Sequence, residues 1–298
     1  MLTNKYDFLI LFDVENGNPN GDPDADNMPR IDPETNFGIV TDVCLKRKVR
    51  NYVDMAKSMG ELGEGYDIYI QEKKPLNRVD AEAYKFANVE LDDKGIVKDK
   101  KIDKEKLDIS VRDFMCSNFF DIRTFGAVMT THVKNNLNAG QVRGPVQLSF
   151  ARSIDRIFPQ NITITRGAVA TEKDFLEKGS STMGRKHIVP YGLYKAEGYI
   201  SAPLTKSTGF NEDDLELLWQ AITNMLEHDR AAARGKMSMR ELIVFRHENA
   251  LGNAPSHKLF DIIKIEKKTE DPPRSYNDYV LTIDETKIPA GITMERLI

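Results

Sequence analysis

The chain has 298 residues, 42 Lys plus Arg against 46 Asp plus Glu, a formal charge of −4 and 40% hydrophobic residues. This fits a soluble globular chain of one elaborated domain or two modest ones, long enough to bury a real core. Two cysteines, Cys44 and Cys116, with no CxxC and no nearby Cys/His pairing, argue against a disulfide scaffold or a zinc finger and for a reducing cytoplasm. The apolar run Phe8–Phe12, closed by Asp13, is too short for a signal peptide or a membrane span.

In chain order, Tyr6–Val14 is a continuous apolar run and predicts a buried strand. Residues 15–38, rich in Asn, Gly, Pro and Asp, predict a long ordered loop. Thr41 or Asp42 caps a helix whose apolar positions Leu45, Val49, Tyr52, Val53 and Ala56 share one face. Residues 72–113 carry 11 basic and 11 acidic residues and few large apolar ones. They suggest an inserted subdomain, with helical pieces around Asp80–Asn88 and Asp103–Asn118. Strands are expected over Asp121–Thr131, Pro145–Ala151, Ile162–Thr171 and Ile188–Ala202. A second helix is expected from Asn211, with Leu215, Leu218, Trp219, Ile222, Met225 and Leu226 on one face. Further strands follow at Glu241–Phe245 and Tyr279–Ile283. The order β, α, insertion, β, β, α, β is that of a ferredoxin-like, or RRM-like, α+β unit with long excursions. No repeat of solenoid length is visible.

Charge is segregated along the chain. Residues 1–36 hold eight acids against Lys5 and Arg30, whereas residues 43–53 carry Lys46, Arg47, Lys48 and Arg50 with no acid. Residues 123–206 have 12 basic and 5 acidic residues, and residues 211–230 return to six acids against Arg230. Such separation suits an anion-binding face or a head-to-tail assembly.

Catalytic signals are thin. The loop Asn16–Asp24 shares the composition of a calcium loop, but Pro19 intrudes and no ligating Glu falls at Asn27. Gly179–Lys186 (GSSTMGRK) is a near miss to a P-loop, with Arg185 where the phosphate lysine belongs and Lys186 where the magnesium hydroxyl belongs. The five histidines, His132, His187, His228, His247 and His257, have no metal-binding spacing, and no metal or cofactor is expected. Cys44 is expected as a hydrophobe within its helix. The basic helix is the stronger signal: Lys46 and Arg50, one turn apart, with the free N–H groups near Thr41, suit consecutive phosphates. Gly140–Pro145 sets Arg143 in a segment open to close backbone approach. Tyr191 and Tyr194, beside Arg185–His187, offer aromatic faces next to positive charge.

Leu11–Asp24, Met28–Thr35, Val40–Arg50, Phe119–Gly126, Gly140–Ser153 and Met183–Gly192 together closely resemble the backbone subunit of the type I-C (Dvulg-subtype) CRISPR Cascade complex. That is the Cas-seven family of the RAMP superfamily. The likeness runs from about Tyr6 to Phe260. It implies an RRM-like palm (residues 1–71 and 119–298), a finger insertion (72–118) and a protruding thumb hairpin at about 165–187. It further implies a non-catalytic protein that polymerises along CRISPR RNA and presents it to target DNA, with adjacent copies and other Cascade subunits as partners and no membrane. Thr41, Lys46, Arg47, Arg50, Arg123, Arg143, Arg185, Lys186 and Tyr191 become the expected RNA contacts, with Met183 as a base wedge. Base pairing would then supply sequence specificity, and the protein phosphate and shape contacts. Two rivals stay open. One is a RAMP-type metal-dependent ribonuclease using Asp32, and the other a nucleotide-binding enzyme using Gly179–Lys186.

Overall fold

The computed structural model describes residues 1–90, 103–129 and 141–298. His132, Gly140 and the last part of the strand expected over Asp121–Thr131 lie outside the described residues. Strand β1 (Tyr6–Gly17) is buried almost throughout. Its Tyr6, Phe8, Ile10, Phe12 and Val14 enter one core, while Leu9 and Leu11 enter another on the opposite face. The unbroken apolar run thus reflects a strand covered on both sides. The expected long loop contains a two-residue ladder between β2 (Gly21–Asp22) and β3 (Met28–Pro29), then β4 (Phe37–Val40).

Helix α1 (Asp42–Ser58) begins at Thr41, whose hydroxyl accepts from the Cys44 N–H at 3.3 Å. Leu45, Val49, Val53 and Ala56 form its buried face. In the insertion, α2 (Leu76–Phe86) and α3 (Lys104–Asn118) build a separate core. Val79 and Ala83 meet Leu107, Val111 and Met115 there, each set at helical i, i+4 spacing.

The next element corrects the sequence expectation. Phe120–Phe125 is a helix, α4, and only β5 (Gly126–Val128) is strand. A short apolar run carries no decisive period, and here tertiary anchors select the helix. The Asp121 carboxylate accepts from the Tyr69 and Ile70 N–H groups at 2.8 and 3.1 Å and from Arg50 Nε at 2.7 Å. Gly126, at φ 76°, turns the chain out of the helix.

Strands β6 (Gln141–Arg143), β7 (Val146–Leu148) and β8 (Ala151–Arg156) lead to β9 (Gln160–Arg166), all of whose residues are exposed. After α5 (Glu172–Lys178), the 19-residue β10 (Thr182–Ile200) pairs first with β9, from Thr182 opposite Arg166 to Ile188 opposite Gln160. The same strand then enters the sheet beside β1. One long strand therefore carries an exposed hairpin on a buried stem.

Helix α6 (Ala202–Thr208) precedes α7 (Glu212–Asn224), which starts with a reciprocal capping box between Asn211 and Asp214. Strand β11 (Lys236–His247), α8 (Ser256–Phe260), β12 (Ile263–Lys267), β13 (Tyr279–Ile283) and β14 (Ile292–Arg296) complete the chain.

The result is a mixed α/β fold around an antiparallel sheet ordered β14-β11-β1-β10-β8-β4. Helices α1 and α7 cover one face, where Trp219 packs edge-on against Phe8 at 5.0 Å. Helix α8 and the β12–β13 ladder cover the other. A ligand therefore has no bare sheet face to lie on, and the hairpin, edges and loops are what remain. Among the described residues no helix is long and apolar enough to cross a membrane.

Candidate nucleic-acid interface

A cation buried against an internal counter-ion is committed to the fold, because a buried charge must be paired, whereas one that reaches solvent remains open to a ligand phosphate. On α1, Lys46 lies against Asp42 at 2.9 Å and 5.7 Å from the Phe125 ring centroid. Arg47 donates to the Ile70 carbonyl at 2.7 Å, tying the helix to the segment that enters the insertion. Both are half-buried. Arg50 is buried against Asp121, with its guanidinium 5.3 Å from the Phe125 centroid. Lys48 is buried against Asp229. The structure thus does not present Lys46 and Arg50 to solvent as a pair: Arg50 holds the interior together. Thr41 has its hydroxyl engaged with Asn20 Oδ1 at 3.0 Å as well as capping the helix.

Arg123 is likewise an interior residue. It donates to both Asp214 oxygens at 3.0 and 2.7 Å and to the Cys116 and Gly65 carbonyls at 2.7 and 3.0 Å. Tyr191 is buried and its hydroxyl donates to Asp13 at 2.9 Å. Burial first, then the Asp13 charge, pushes its phenol above the ordinary range. Tyr194 is fully buried and stacked on Phe12 at 5.4 Å. Neither aromatic ring is available to a splayed base, because alternation along β10 turns both into cores. Gly144 also has a structural reason: a Cβ there would lie 2.1 Å from the Phe125 backbone carbon, so its close approach is to α4 and not to a ligand.

The exposed cations lie elsewhere. Arg143 ends β6, Arg152 and Arg156 project from β8, and Arg166, Arg185 and Met183 stand on the hairpin, with Lys186 half-exposed at its root. Arg143, Arg156, Arg185 and Lys186 form no ion pair with any described residue. Met183 is 74% exposed, and Phe158, at the start of the hairpin, is 70% exposed. Arg152, Arg156, Phe150 and Phe158 were not singled out by sequence. For the two arginines the signal is the basic excess over residues 123–206, which does not say which side chains face water, and composition marks neither phenylalanine.

The structure treats the two catalytic rivals differently. Asp32 Oδ1 accepts from the Glu34 N–H at 3.0 Å and its Oδ2 meets Arg152 at 3.2 Å. The Glu34 amide, then the Arg152 guanidinium, hold its carboxyl below the ordinary range, so it stays ionised, which disfavours a general base but is also the form in which a carboxylate ligates a metal. Gly179–Lys186 forms the loop after α5 and the first residues of β10, paired with β9. A phosphate-cradling loop must instead lead into a helix N-terminus. Cys44 is half-buried with Sγ 3.6 Å from the Pro19 carbonyl, and burial raises its thiol.

Residues 4–284 match the family model of CRISPR-associated protein Cas7. The chain belongs to the Cas7 family. A CRISPR-associated protein Cas7 from Haloferax volcanii is 25% identical over 298 residues, covering 95% of this chain and 81% of that relative. Among solved structures, a chain of a CRISPR RNA-guided surveillance complex, pre-nicking, has a TM-score of 0.49 at 14% identity, over 81% of this chain and 78% of its own. A second CRISPR RNA-guided surveillance complex gives 0.45 at 13% identity, over 81% of this chain and 68% of the other. Family membership meets the expectation from the motifs; their type I-C flavour is a finer matter.

Proposed function

We propose that this chain is the non-catalytic, guide-RNA-binding backbone subunit of a CRISPR surveillance complex of type I-C, working in the cytoplasm. The observation that carries the reading is the partition of cations. Those on the inner helices are neutralised by Asp121, Asp214 and Asp229, whereas Arg143, Arg156, Arg185 and Lys186 on β6, β8 and the hairpin reach solvent and form no ion pair with any described residue. Membership of the Cas7 family supports it.

In this reading the order β11-β1-β10-β8, joined through α1 and α7, is an RRM-like palm. Residues 72–118 are the finger and the β9–β10 hairpin is the thumb. Arg143, Arg185 and Lys186, helped by Lys46, Arg47 and the Thr41 turn, hold the guide backbone. Met183, exposed near the hairpin end, is the wedge that displaces a base. Glu212, Asp213 and Glu216 are exposed on α7 and offer an acidic face to the basic face of the next copy. That contact is heterologous and propagates a helical filament. Other Cascade subunits cap the filament, and target DNA pairs with the guide. Asp32, bound in its turn and to Arg152, performs no cleavage.

The test is expression beside a CRISPR array and the partner subunits, followed by length analysis of co-purifying RNA. A discrete guide-length RNA in a large complex, lost on combined Arg185→Ala and Lys186→Ala but kept intact and unaltered in length by Asp32→Ala, is expected. A nucleic-acid-free monomer under the same conditions would overturn the reading.

A further inference from the structure

Where the root of the hairpin meets the turn after β1, a crevice of about 290 Å³ opens between Asn18, Asp26, Asn27, Arg185, Lys186 and His187. Asn18 is held from two sides. Its backbone N–H donates to the Ala233 carbonyl at 2.9 Å, and its Nδ2 to the Asn27 carbonyl at 2.7 Å. A carbonyl only accepts, so the amide nitrogen must face Asn27, and the other atom, Oδ1, is fixed as an acceptor.

That Oδ1 is buried and has no hydrogen-bond partner among the described residues, in a residue only 8% exposed. His187 Nδ1 is in the same condition, while its Nε2 lies 3.5 Å from Asp26. Buried polar atoms are nearly always paired, with protein, water or ligand, and Asn18 and His187 both line the crevice, so a group entering it is the partner the two atoms lack.

The crevice makes a double demand. Arg185 and Lys186 outnumber the Asp26 carboxylate and call for an anion, whereas Asn18 Oδ1 calls for a donor and repels phosphate oxygens. A deoxyribose-phosphate chain, whose phosphodiesters carry no hydroxyl, meets only the first demand. A ribose-phosphate chain meets both, because its 2′-hydroxyl is a donor set beside the phosphate, and it is the group by which proteins tell RNA from DNA.

We propose that the crevice discriminates ribose from deoxyribose: Arg185 and Lys186 take a backbone phosphate while Asn18 Oδ1 accepts the adjoining 2′-hydroxyl. This rests on the guide-binding reading and adds to it a residue that selects RNA. Such selection has a use in a protein that must grip the guide and not the DNA strands brought beside it.

The experiment measures binding of the full chain, by fluorescence anisotropy, to short single strands of one sequence. The strands are RNA, 2′-fluoro RNA, which keeps the sugar shape but cannot donate at the 2′ position, and DNA. RNA is expected to bind about fivefold more tightly than 2′-fluoro RNA, the effect of one neutral hydrogen bond. Asn18→Ala, checked for folding by circular dichroism, is expected to remove that difference while leaving the salt dependence unchanged. If Asn18→Ala does not fold, the comparison of RNA with 2′-fluoro RNA on the unaltered chain still decides. Equal binding of those two strands, as when water fills the crevice, overturns the proposal, and so does a difference that survives in folded Asn18→Ala. Binding of no strand at all would overturn the guide-binding reading itself.

Discussion

Replacing Arg123 by Ala separates an interior arginine from an interface one. Arg123 holds both oxygens of Asp214, and Asp214 is fully buried. Without the guanidinium, the carboxylate keeps the Asn211 N–H at 3.0 Å as its remaining partner. Two backbone carbonyls, those of Cys116 and Gly65, also lose their donor. Removing one partner of a buried ion pair costs about 3–5 kcal/mol. For a chain of this length the entropy of unfolding is about 0.6 kcal/mol per kelvin, so Tm falls by about 5–8 °C.

Calorimetry reads the shift, and anisotropy with single-stranded RNA, well below the transition, reads the affinity of the folded protein. The expected result is a lowered Tm with unchanged affinity. Adding Asp214→Asn to Arg123→Ala is expected to cost less than the sum of the two single changes, because the orphaned charge is gone. An unchanged Tm with weakened RNA binding would refute this account and return Arg123 to the interface.

Three further outcomes are expected. Combined Arg185→Ala and Lys186→Ala leaves Tm unaltered and lowers the slope of log affinity against log salt by about 1.4, the value for two phosphate contacts on a single strand; an unaltered slope would remove both from the interface. Burial pushes the Cys116 thiol up to about 11; in the folded chain at pH 8 it should react with a thiol reagent at least about a hundredfold more slowly than after unfolding. The unfolded chain releases that proton nearer pH 8.5, so the thiol's contribution to stability is complete below that pH and is lost as the pH rises towards 11; rapid native labelling at pH 8 would contradict this. Gly198→Ala would put a methyl 2.1 Å from the Phe8 ring; a cost of about 1–3 kcal/mol in denaturant unfolding is expected, and a neutral effect would mean the sheet yields there.

Local chemistry was enough for several elements. Thr41 and Asn211 start α1 and α7 because a capping side chain needs only the next few residues to act. The apolar run Tyr6–Val14 specifies a two-sided strand by its lack of alternation. The motifs from Leu11 to Gly192 carried the family. Phe120–Phe125 was not legible as a helix, since its anchors, the Tyr69 and Ile70 amides, lie about fifty residues away in the chain. The length of β10 was also hidden, because its first residues are polar and are held as strand by pairing with β9 rather than by burial.

The candidate site divides in the same way. By itself the sequence determined where cations are dense, on α1 and over residues 123–206, because charge is a property of composition. It could not determine which of them are neutralised. Arg50 meets an aspartate 71 positions away and Arg123 one 91 positions away, and nothing local to either arginine announces its partner. The burial of Tyr191 was not legible for the related reason that period-2 alternation sets which neighbours share a face, but the sheet order sets whether that face is covered. Only tertiary structure made those decisions, by burying Arg50, Arg123 and Tyr191 with their counter-groups and leaving Arg143, Arg185 and Lys186 facing water.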